Sequence, residues 1–419
     1  MSELLIYGGK PLIGSVKVSG AKNSVLKLMA ASLLTKEPCI LKNVPNLIDV
    51  QKMLSLLTDL GTEAKWIAPG SLYLCTPNGL NYYGSERLMR EMRASILILG
   101  PLLARAKKAH VYYPGGCAIG PRPIDLHLKA LEALGAKVEQ EQGGVLFLQA
   151  NGGLRGNRIY FDFPSVGATE NLMMAAVFAK GRTTIENAAK EPEIVELQKF
   201  LNNLGANIHG AGTDTIVIEG VKELKGAEYT VVSDRIEAGT FLLAGAITQG
   251  TVKVYGARAD HNEALLYKLQ EAGCKIDIGP SYVEVKGSKH IEPLRIRTMP
   301  YPGFPTDLQP LITALLTLAE GTSLVTETVF PDRFKYTHEL TRLGAKICIE
   351  GECAIVKGVA KLKGAKVEAF DLRGGAALVI AALAASGESR VSQLEHLDRG
   401  YEKFSEKIAS LGAIVERQN

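Results

Sequence analysis

One phrase returns six times along this chain, and it limits the folds available more than any single motif does. A helical stretch ends at a glycine and a short apolar run follows. The copies are Asp59-Leu60-Gly61-Thr62, Ala133-Leu134-Gly135-Ala136, Asn203-Leu204-Gly205-Ala206, Glu271-Ala272-Gly273-Cys274, Arg342-Leu343-Gly344-Ala345 and Ser410-Leu411-Gly412-Ala413. The glycines are separated by 74, 70, 68, 71 and 68 residues. A glycine directly after a helix reads as a left-handed C-cap. Apolar stretches such as Lys137-Val138, Asn207-Ile208, Lys275-Ile276 and Lys346-Ile347 then read as strand starts.

Upstream of each glycine lies a second repeated phrase, a helix of small apolar residues. Its copies begin near Ala21-Lys22-Asn23, Met92-Arg93-Ala94, Gly167-Ala168-Thr169-Glu170, Ile236-Glu237-Ala238, Thr306-Asp307-Leu308 and Arg373-Gly374-Gly375. A helix that is apolar nearly all round is expected inside the molecule, and the amphipathic helix ending at the Leu-Gly outside. Each unit therefore reads strand, buried helix, strand, outer helix and two more strands, and self-similarity at a fixed period sets the architecture. Six α/β units make two domains of three. The expected division is residues 22–232 against residues 1–21 plus 233–419. Unit six lacks room after Gly412 for its last strands, so the N-terminal strands are expected to complete it. The chain would then cross twice, near Ser19-Gly20-Ala21 and Val232-Ser233, and paired crossings suggest a hinge that closes on ligand.

Bulk properties narrow the function classes. At 419 residues, two or three domains fit. The 46% apolar and 22% charged content is that of a soluble globular protein. A net charge of +4 gives no reason to expect a nucleic-acid partner. The N-terminus has no basic, long apolar leader, and the most apolar run, Ala376 to Ala385, is too short to cross a membrane. A cytoplasmic location is expected. The six cysteines, Cys39, Cys75, Cys117, Cys274, Cys348 and Cys353, show no metal-site spacing. For all but Cys117 the expectation is mostly buried free thiols.

Cys117 differs because of its setting, Pro114-Gly115-Gly116-Cys117-Ala118-Ile119-Gly120-Pro121-Arg122-Pro123. Taken alone, this is a surface loop with an incidental cysteine. The repeat changes its weight. Starts of the buried helices should be equivalent places, and they hold Lys22, Asn23, Arg93, Thr169, Glu170, Glu237, Asp307 and Arg373. The turn after each second strand is another, and it holds the Cys117–Arg122 loop, Asp332-Arg333 and Asp398-Arg399-Gly400. A cation at a helix N-terminus opposes the helix dipole unless an anion accompanies it. Lys22, Arg93, Arg122, Arg333, Arg373 and Arg399 thus form a candidate anion site, with arginine suited to carboxylate and phosphate. Asp307, after the turn Pro300–Thr306, reads as a first-turn acid or as a general base held beside cations. Asp49 and Asp125 read as helix caps. No phosphate-cradling or dinucleotide-binding glycine motif is present, and no serine-histidine-aspartate arrangement is suggested.

These residues carry a resemblance. The runs Ser19-Gly20-Ala21-Lys22-Asn23, Met92-Arg93-Ala94-Ser95, Pro114–Pro123 with Asp125-Leu126, and Pro164-Ser165-Val166-Gly167-Ala168-Thr169 resemble those of the enolpyruvyl transferases. So do Phe304-Pro305-Thr306-Asp307, Asp332-Arg333-Phe334, Asp371-Leu372-Arg373 and Asp398-Arg399-Gly400-Tyr401. The cysteine loop and the Pro164–Thr169 run resemble the branch acting on UDP-N-acetylglucosamine more than the shikimate-phosphate branch. One departure is Gly374-Gly375, where a bulkier or alanine-containing pair is expected.

The resemblance implies two inside-out α/β barrel domains, each of three βαβαββ-type units. It implies transfer of the enolpyruvyl group of phosphoenolpyruvate to a sugar hydroxyl, with no metal or organic cofactor. Cys117 would be the general acid and Asp307 the base. Lys22, Asn23, Arg122, Arg373 and Arg399 would hold phosphoenolpyruvate, with Lys22 and Arg399 also catalytic. Asn23, Arg93, Arg122, Pro123, Ile124, Asp125, Leu126, Ser165, Val166, Gly167, Asp307 and Val329 would line the UDP-N-acetylglucosamine site. A catalytically silent UDP-sugar binder would be expected to lack Cys117, Lys22 or Asp307, and an RNA 3′-phosphate cyclase type would need a histidine nucleophile motif that is not visible.

Overall fold

The computed structural model describes residues 2–115 and 123–418. All six repeat glycines have positive φ, between 92° and 105°. Each carries the double hydrogen bond of a Schellman cap. At the first, Gly61 N–H donates to the Thr58 carbonyl and Thr62 N–H to the Leu57 carbonyl, both at 2.9 Å. The glycine ends the outer helix and turns the chain into the next strand. The preceding helices bury one face only: in Ile48–Asp59 that face is Val50, Met53, Leu54, Leu56 and Leu57. The central helices are apolar on all sides. Leu372–Ala384 buries all but two of its 13 residues, and Arg235–Ile247 all but one. Each fully buried leucine or isoleucine contributes about 1.5–3 kcal/mol.

The chain divides into two compact units, changing over at Ser19/Gly20 and Val232/Ser233. Each encloses its own apolar core. Among the described residues there are five four-stranded sheets and one three-stranded sheet. The third unit shows the plan: Arg158–Tyr160 lies parallel to Arg182–Glu186, which runs antiparallel to Thr215–Glu219, which pairs in turn with Asn207–His209.

Three details depart from a simple sixfold copy. First, the leading strands are traded. Ile13–Lys17 precedes the first buried helix in sequence but pairs parallel with Thr251–Tyr255 of the fourth sheet. Glu228–Thr230 precedes the fourth buried helix but pairs parallel with Cys39–Lys42 of the first. The changeover falls between strand and helix, so each strand stays with the unit it leaves. Second, Glu3–Tyr7 supplies the missing strand of the sixth sheet, antiparallel to both Glu388–Ser392 and Ile414–Gln418. Third, the second unit is irregular. Its leading strand is reduced to one bridge, Tyr83 with His110. Its buried helix, expected to run on from Met92, is split into Glu86–Glu91, Arg93–Ile98 and Leu99–Ala106. Met92 is extended at φ −145°, and the Ser95 hydroxyl donates to the Met92 and Met89 carbonyls at 2.6 and 2.9 Å, alongside the Ser95 and Gly115 N–H groups at 3.2 Å.

Among the described cysteines, Cys39, Cys75 and Cys274 are buried, Cys353 is half-buried and Cys348 is exposed. Cys348 is the exception to a mostly buried set: it sits on Lys346–Glu350, the edge strand of its sheet, where the outer face meets solvent. Among the described residues, no helix is long and apolar enough to cross a membrane.

Candidate functional site

In the unit from Gly20 to Val232, Lys22 opens the buried helix Lys22–Ala31 and needs an anion beside it. Asp49 provides one. Lys22 Nζ lies 2.6 Å from Asp49 Oδ2, both side chains being largely buried. The reading of Asp49 as a cap is thus corrected: it is the counter-ion of Lys22. Its place in the first turn of Ile48–Asp59 favours the negative charge. Asn23, one residue on, is exposed. Thr169 and Glu170, expected at equivalent positions, are spent on packing. Thr169 Oγ1 accepts from Ala189 N–H, and Glu170 is buried against Lys27, burial raising its carboxyl above the usual range against the pull of that lysine.

Three candidate stretches of this unit meet around two buried side chains that sequence reasoning missed, His127 and Asn171. Asn171 Nδ2 donates to the Ile96 carbonyl at 3.0 Å and lies 2.8 Å from His127 Nδ1, while its Oδ1 accepts from Gly100 N–H at 2.9 Å. His127 stands on Asp125–Ala133, directly after Pro123, Ile124, Asp125 and Leu126. A Cβ on Gly167 would come within 2.9 Å of its ring, so the glycine lets Ser165-Val166-Gly167 lie against it. Ser165 caps the helix Val166–Ala176 by accepting from Ala168 N–H. Arg93 completes the group, Nη2 donating to the Pro123 carbonyl at 3.3 Å. Pro123 and Asp125 are exposed, Ile124 is buried, and Leu126, Ser165, Val166 and Gly167 are half-buried. Nothing in the sequence marked His127 beyond its place two residues past Asp125. Cys117 and Arg122 lie outside the described residues.

The other unit centres on Asp307, in the turn Thr306–Leu308 that leads into the buried helix Gln309–Leu316. Its carboxylate is gripped from two sides. Arg333 Nη2 donates to Oδ1 at 2.8 Å, and Arg373 donates to Oδ2 from Nη2 at 3.3 Å and from Nε at 3.4 Å. Both arginines are 3% exposed, whereas the Asp307 side chain is 27% exposed. Burial alone would raise the Asp307 carboxyl, but Arg373 and Arg333 outweigh it and hold it well below the usual carboxylate range. Arg373 Nη1 and Arg333 Nε are buried with no hydrogen-bond partner among the described residues. This cluster therefore keeps spare donors. Asp371 caps the helix that carries Arg373, its Oδ1 accepting from Arg373 and Gly374 N–H at 2.9 Å.

Gly374-Gly375, the departure noted in the sequence, is explained here by space. A Cβ at Gly374 would lie 2.6 Å from Asp371 Oδ2, and one at Gly375 would lie 2.4 Å from Leu397 Cδ1. Arg399 is half-buried and follows the short helix Glu395–Asp398, whose Asp398 is paired with Arg417 at 2.5 Å. Val329 is half-buried, and its N–H donates to Glu327 Oε1 at 2.8 Å. Glu237, the remaining helix-start acid, is paired with Lys407 at 2.5 Å and accepts from Ser19 N–H at 2.8 Å; burial, opposed by Lys407, pushes it up to about 7. Among the described residues, no group of three or more His, Cys, Asp or Glu side chains is placed to hold a metal ion.

Residues 6–408 match the family of EPSP synthase (3-phosphoshikimate 1-carboxyvinyltransferase). The chain is 52% identical to UDP-N-acetylglucosamine 1-carboxyvinyltransferase 1 of Carboxydothermus hydrogenoformans, over 100% of this chain and 99% of that protein. It is 48% identical to the protein of the same name from Staphylococcus aureus, over the full length of both. Among solved structures, the enolpyruvyl transferase NikO from Streptomyces tendae superposes with a TM-score of 0.89 at 24% identity, over 100% of this chain and 99% of that one. EPSP synthase from Acinetobacter baumannii gives 0.79 at 18% identity over the whole of both chains. The protein belongs to the EPSP synthase family of enolpyruvyl transferases, and its fold is theirs.

Proposed function

We propose that this protein transfers the enolpyruvyl group of phosphoenolpyruvate to the 3′-hydroxyl of UDP-N-acetylglucosamine, releasing phosphate, the first committed step of peptidoglycan synthesis. The observation that carries the reading is full-length identity near 50% to relatives named for that reaction. The geometry around Asp307 supports it, since a carboxylate between two buried guanidiniums with spare donors suits an anionic substrate beside a base. The same reading makes it a cytoplasmic enzyme with two small-molecule substrates, no cofactor and no nucleic-acid partner.

In this account Lys22, Asn23, Arg122, Arg373 and Arg399 bind phosphoenolpyruvate. The UDP-sugar takes Asn23, Arg93, Arg122, Pro123, Ile124, Asp125, Leu126, Ser165, Val166, Gly167 and Val329, with Asp307 at the 3′-hydroxyl. Cys117 gives a proton to the methylene carbon of phosphoenolpyruvate, and positive charge gathers at C2. The 3′-hydroxyl oxygen bonds to C2 as its proton passes to Asp307. A methyl proton then returns to the Cys117 thiolate as phosphate leaves C2, which restores the double bond. Where the thiolate left on Cys117 bonds to C2 in place of the sugar oxygen, the result is a covalent phospholactoyl adduct. Fixed cations hold the phosphate and carboxylate throughout without reorganising.

The depressed Asp307 makes a poor base in the free protein. It gains basicity as an incoming anion draws on Arg373, because the counter-charge that held it ionised is then shared. Cys117→Ala is expected to abolish turnover while calorimetry shows UDP-N-acetylglucosamine binding nearly intact. Loss of binding together with turnover would make the loop structural and remove Cys117 from the chemistry.

A further inference from the structure

Behind Asp307 lies a second carboxylate with no part in the account above. Glu327 is fully buried, directly after the strand Thr322–Thr326. Its Oε1 accepts from the Thr298 hydroxyl at 2.8 Å, from Val329 N–H at 2.8 Å and from Phe330 N–H at 3.0 Å. Its Oε2 accepts from the Thr306 hydroxyl at 2.9 Å. Four donors converge on one side chain, two hydroxyls and two backbone N–H groups.

The Thr306 contact leads onward. Its single hydroxyl proton is committed to Glu327, so its lone pairs are left for Arg333, whose Nη1 donates at 2.6 Å. Nη2 of the same guanidinium donates to Asp307 Oδ1. The planar fork thus has one prong on Thr306 and one on Asp307, and the first fixes the angle of the second. On its other side Glu327 ties down the backbone of Val329 and Phe330. Thr298, bonded to the same oxygen, also accepts from Thr328 N–H at 2.9 Å. A buried ionic cluster is a poor way to hold strands together, since apolar side chains of similar size serve stability as well or better. This one ends on the carboxylate assigned as base and on the turn assigned to the sugar nucleotide.

We propose that Glu327, through Thr306 and Arg333, is a positioning residue that fixes the Asp307 carboxylate for proton transfer and sets the Val329 turn. This rests on the reading of Asp307 as the base. Thr306→Val removes the hydroxyl at nearly constant volume. It is expected to lower kcat about 10–100-fold, the scale of a small misplacement of a reacting group, with KM for phosphoenolpyruvate within about twofold of wild type. Thr306→Ser, which keeps the hydroxyl, recovers most of that loss. Glu327→Gln lowers kcat in the same way and also raises KM for UDP-N-acetylglucosamine, because the Val329 turn is released.

The deciding measurement is a double-mutant cycle with Asp307→Asn, read by single-turnover product formation. If Glu327 acts through Asp307, Thr306→Val costs little more once Asp307 is an amide. A wild-type kcat in Thr306→Val, or a full and additive loss in the Asp307→Asn background, overturns the inference. Full turnover in Asp307→Asn alone would instead overturn the assignment of the base. Should Thr306→Val fail to fold, Thr306→Ala and Glu327→Gln give the same cycle, with the same outcomes for and against.

Discussion

Opposing forces meet at Asp307. A part-exposed carboxylate is bonded to two arginines that are almost wholly buried, and their combined field overrides the burial that would otherwise neutralise it. A folded-state pKa below the unfolded value means that the ionised form stabilises the fold. That contribution is complete above about pH 4, the ordinary carboxylate range, and fades as the pH falls through the depressed value. Asp307→Asn should therefore destabilise the protein by about 1–3 kcal/mol at neutral pH, the buried-pair cost reduced for partial exposure. Thermal melts should show a constant gap between the two proteins from pH 6 to 9, narrowing in strong acid. A gap that grows toward acid would mean that Asp307 is not held ionised by Arg333 and Arg373. Asp307, Arg333 and Arg373 were legible in the sequence because each is an unusual charge at a repeated position. Glu327 and His127 were not. A glutamate after a strand reads as surface, and a histidine in an amphipathic helix reads as filler. Their partners, Thr306 and Asn171, are brought close only by the fold.

The element scale is governed by the six capping glycines. At Gly205 the backbone has φ 105° and a Cβ there would meet nothing within 4 Å, so a side chain is opposed by backbone conformation alone. Gly205→Ala should cost about 1–2 kcal/mol, the penalty of left-handed backbone for an L-residue. Urea denaturation would measure it, and a cost near zero would mean that the Schellman turn is not what ends the helix Pro192–Asn203. The caps were legible because glycine after a helix has one dominant meaning. The break after Met92 was not, since Arg93-Ala94-Ser95-Ile96 is a fair helical sequence and the interruption is held by contacts it does not show: the Ser95 hydroxyl on the Met92 and Met89 carbonyls, joined by the Ser95 and Gly115 N–H groups. Gly374-Gly375 had a reason that no pattern shows: Asp371 and Leu397 leave no room for a Cβ.

At the scale of the whole chain, the sixfold period was visible because every unit repeats its cap and its small-residue helix. The unit each leading strand joins was legible too, since the crossings expected near Ser19-Gly20-Ala21 and Val232-Ser233 leave Ile13–Lys17 with residues 233–419 and Glu228–Thr230 with residues 22–232. The sheet each joins was not, because Ile13–Lys17 pairs with the fourth sheet rather than the sixth and Glu228–Thr230 returns to the first. Their pairing is set by where the chain changes unit, a property of topology rather than of any residue. The place of Glu3–Tyr7 in the sixth sheet, by contrast, follows the expectation for the N-terminal strands, since it pairs antiparallel with both Glu388–Ser392 and Ile414–Gln418.

The most direct test of the account is phosphate release by the purified protein supplied with phosphoenolpyruvate and UDP-N-acetylglucosamine. The controls are each substrate alone and phosphoenolpyruvate with shikimate 3-phosphate. The account predicts release only with the UDP-sugar, together with a product heavier by one enolpyruvyl unit. Release with shikimate 3-phosphate instead, or saturable binding of UDP-N-acetylglucosamine without release, would contradict it.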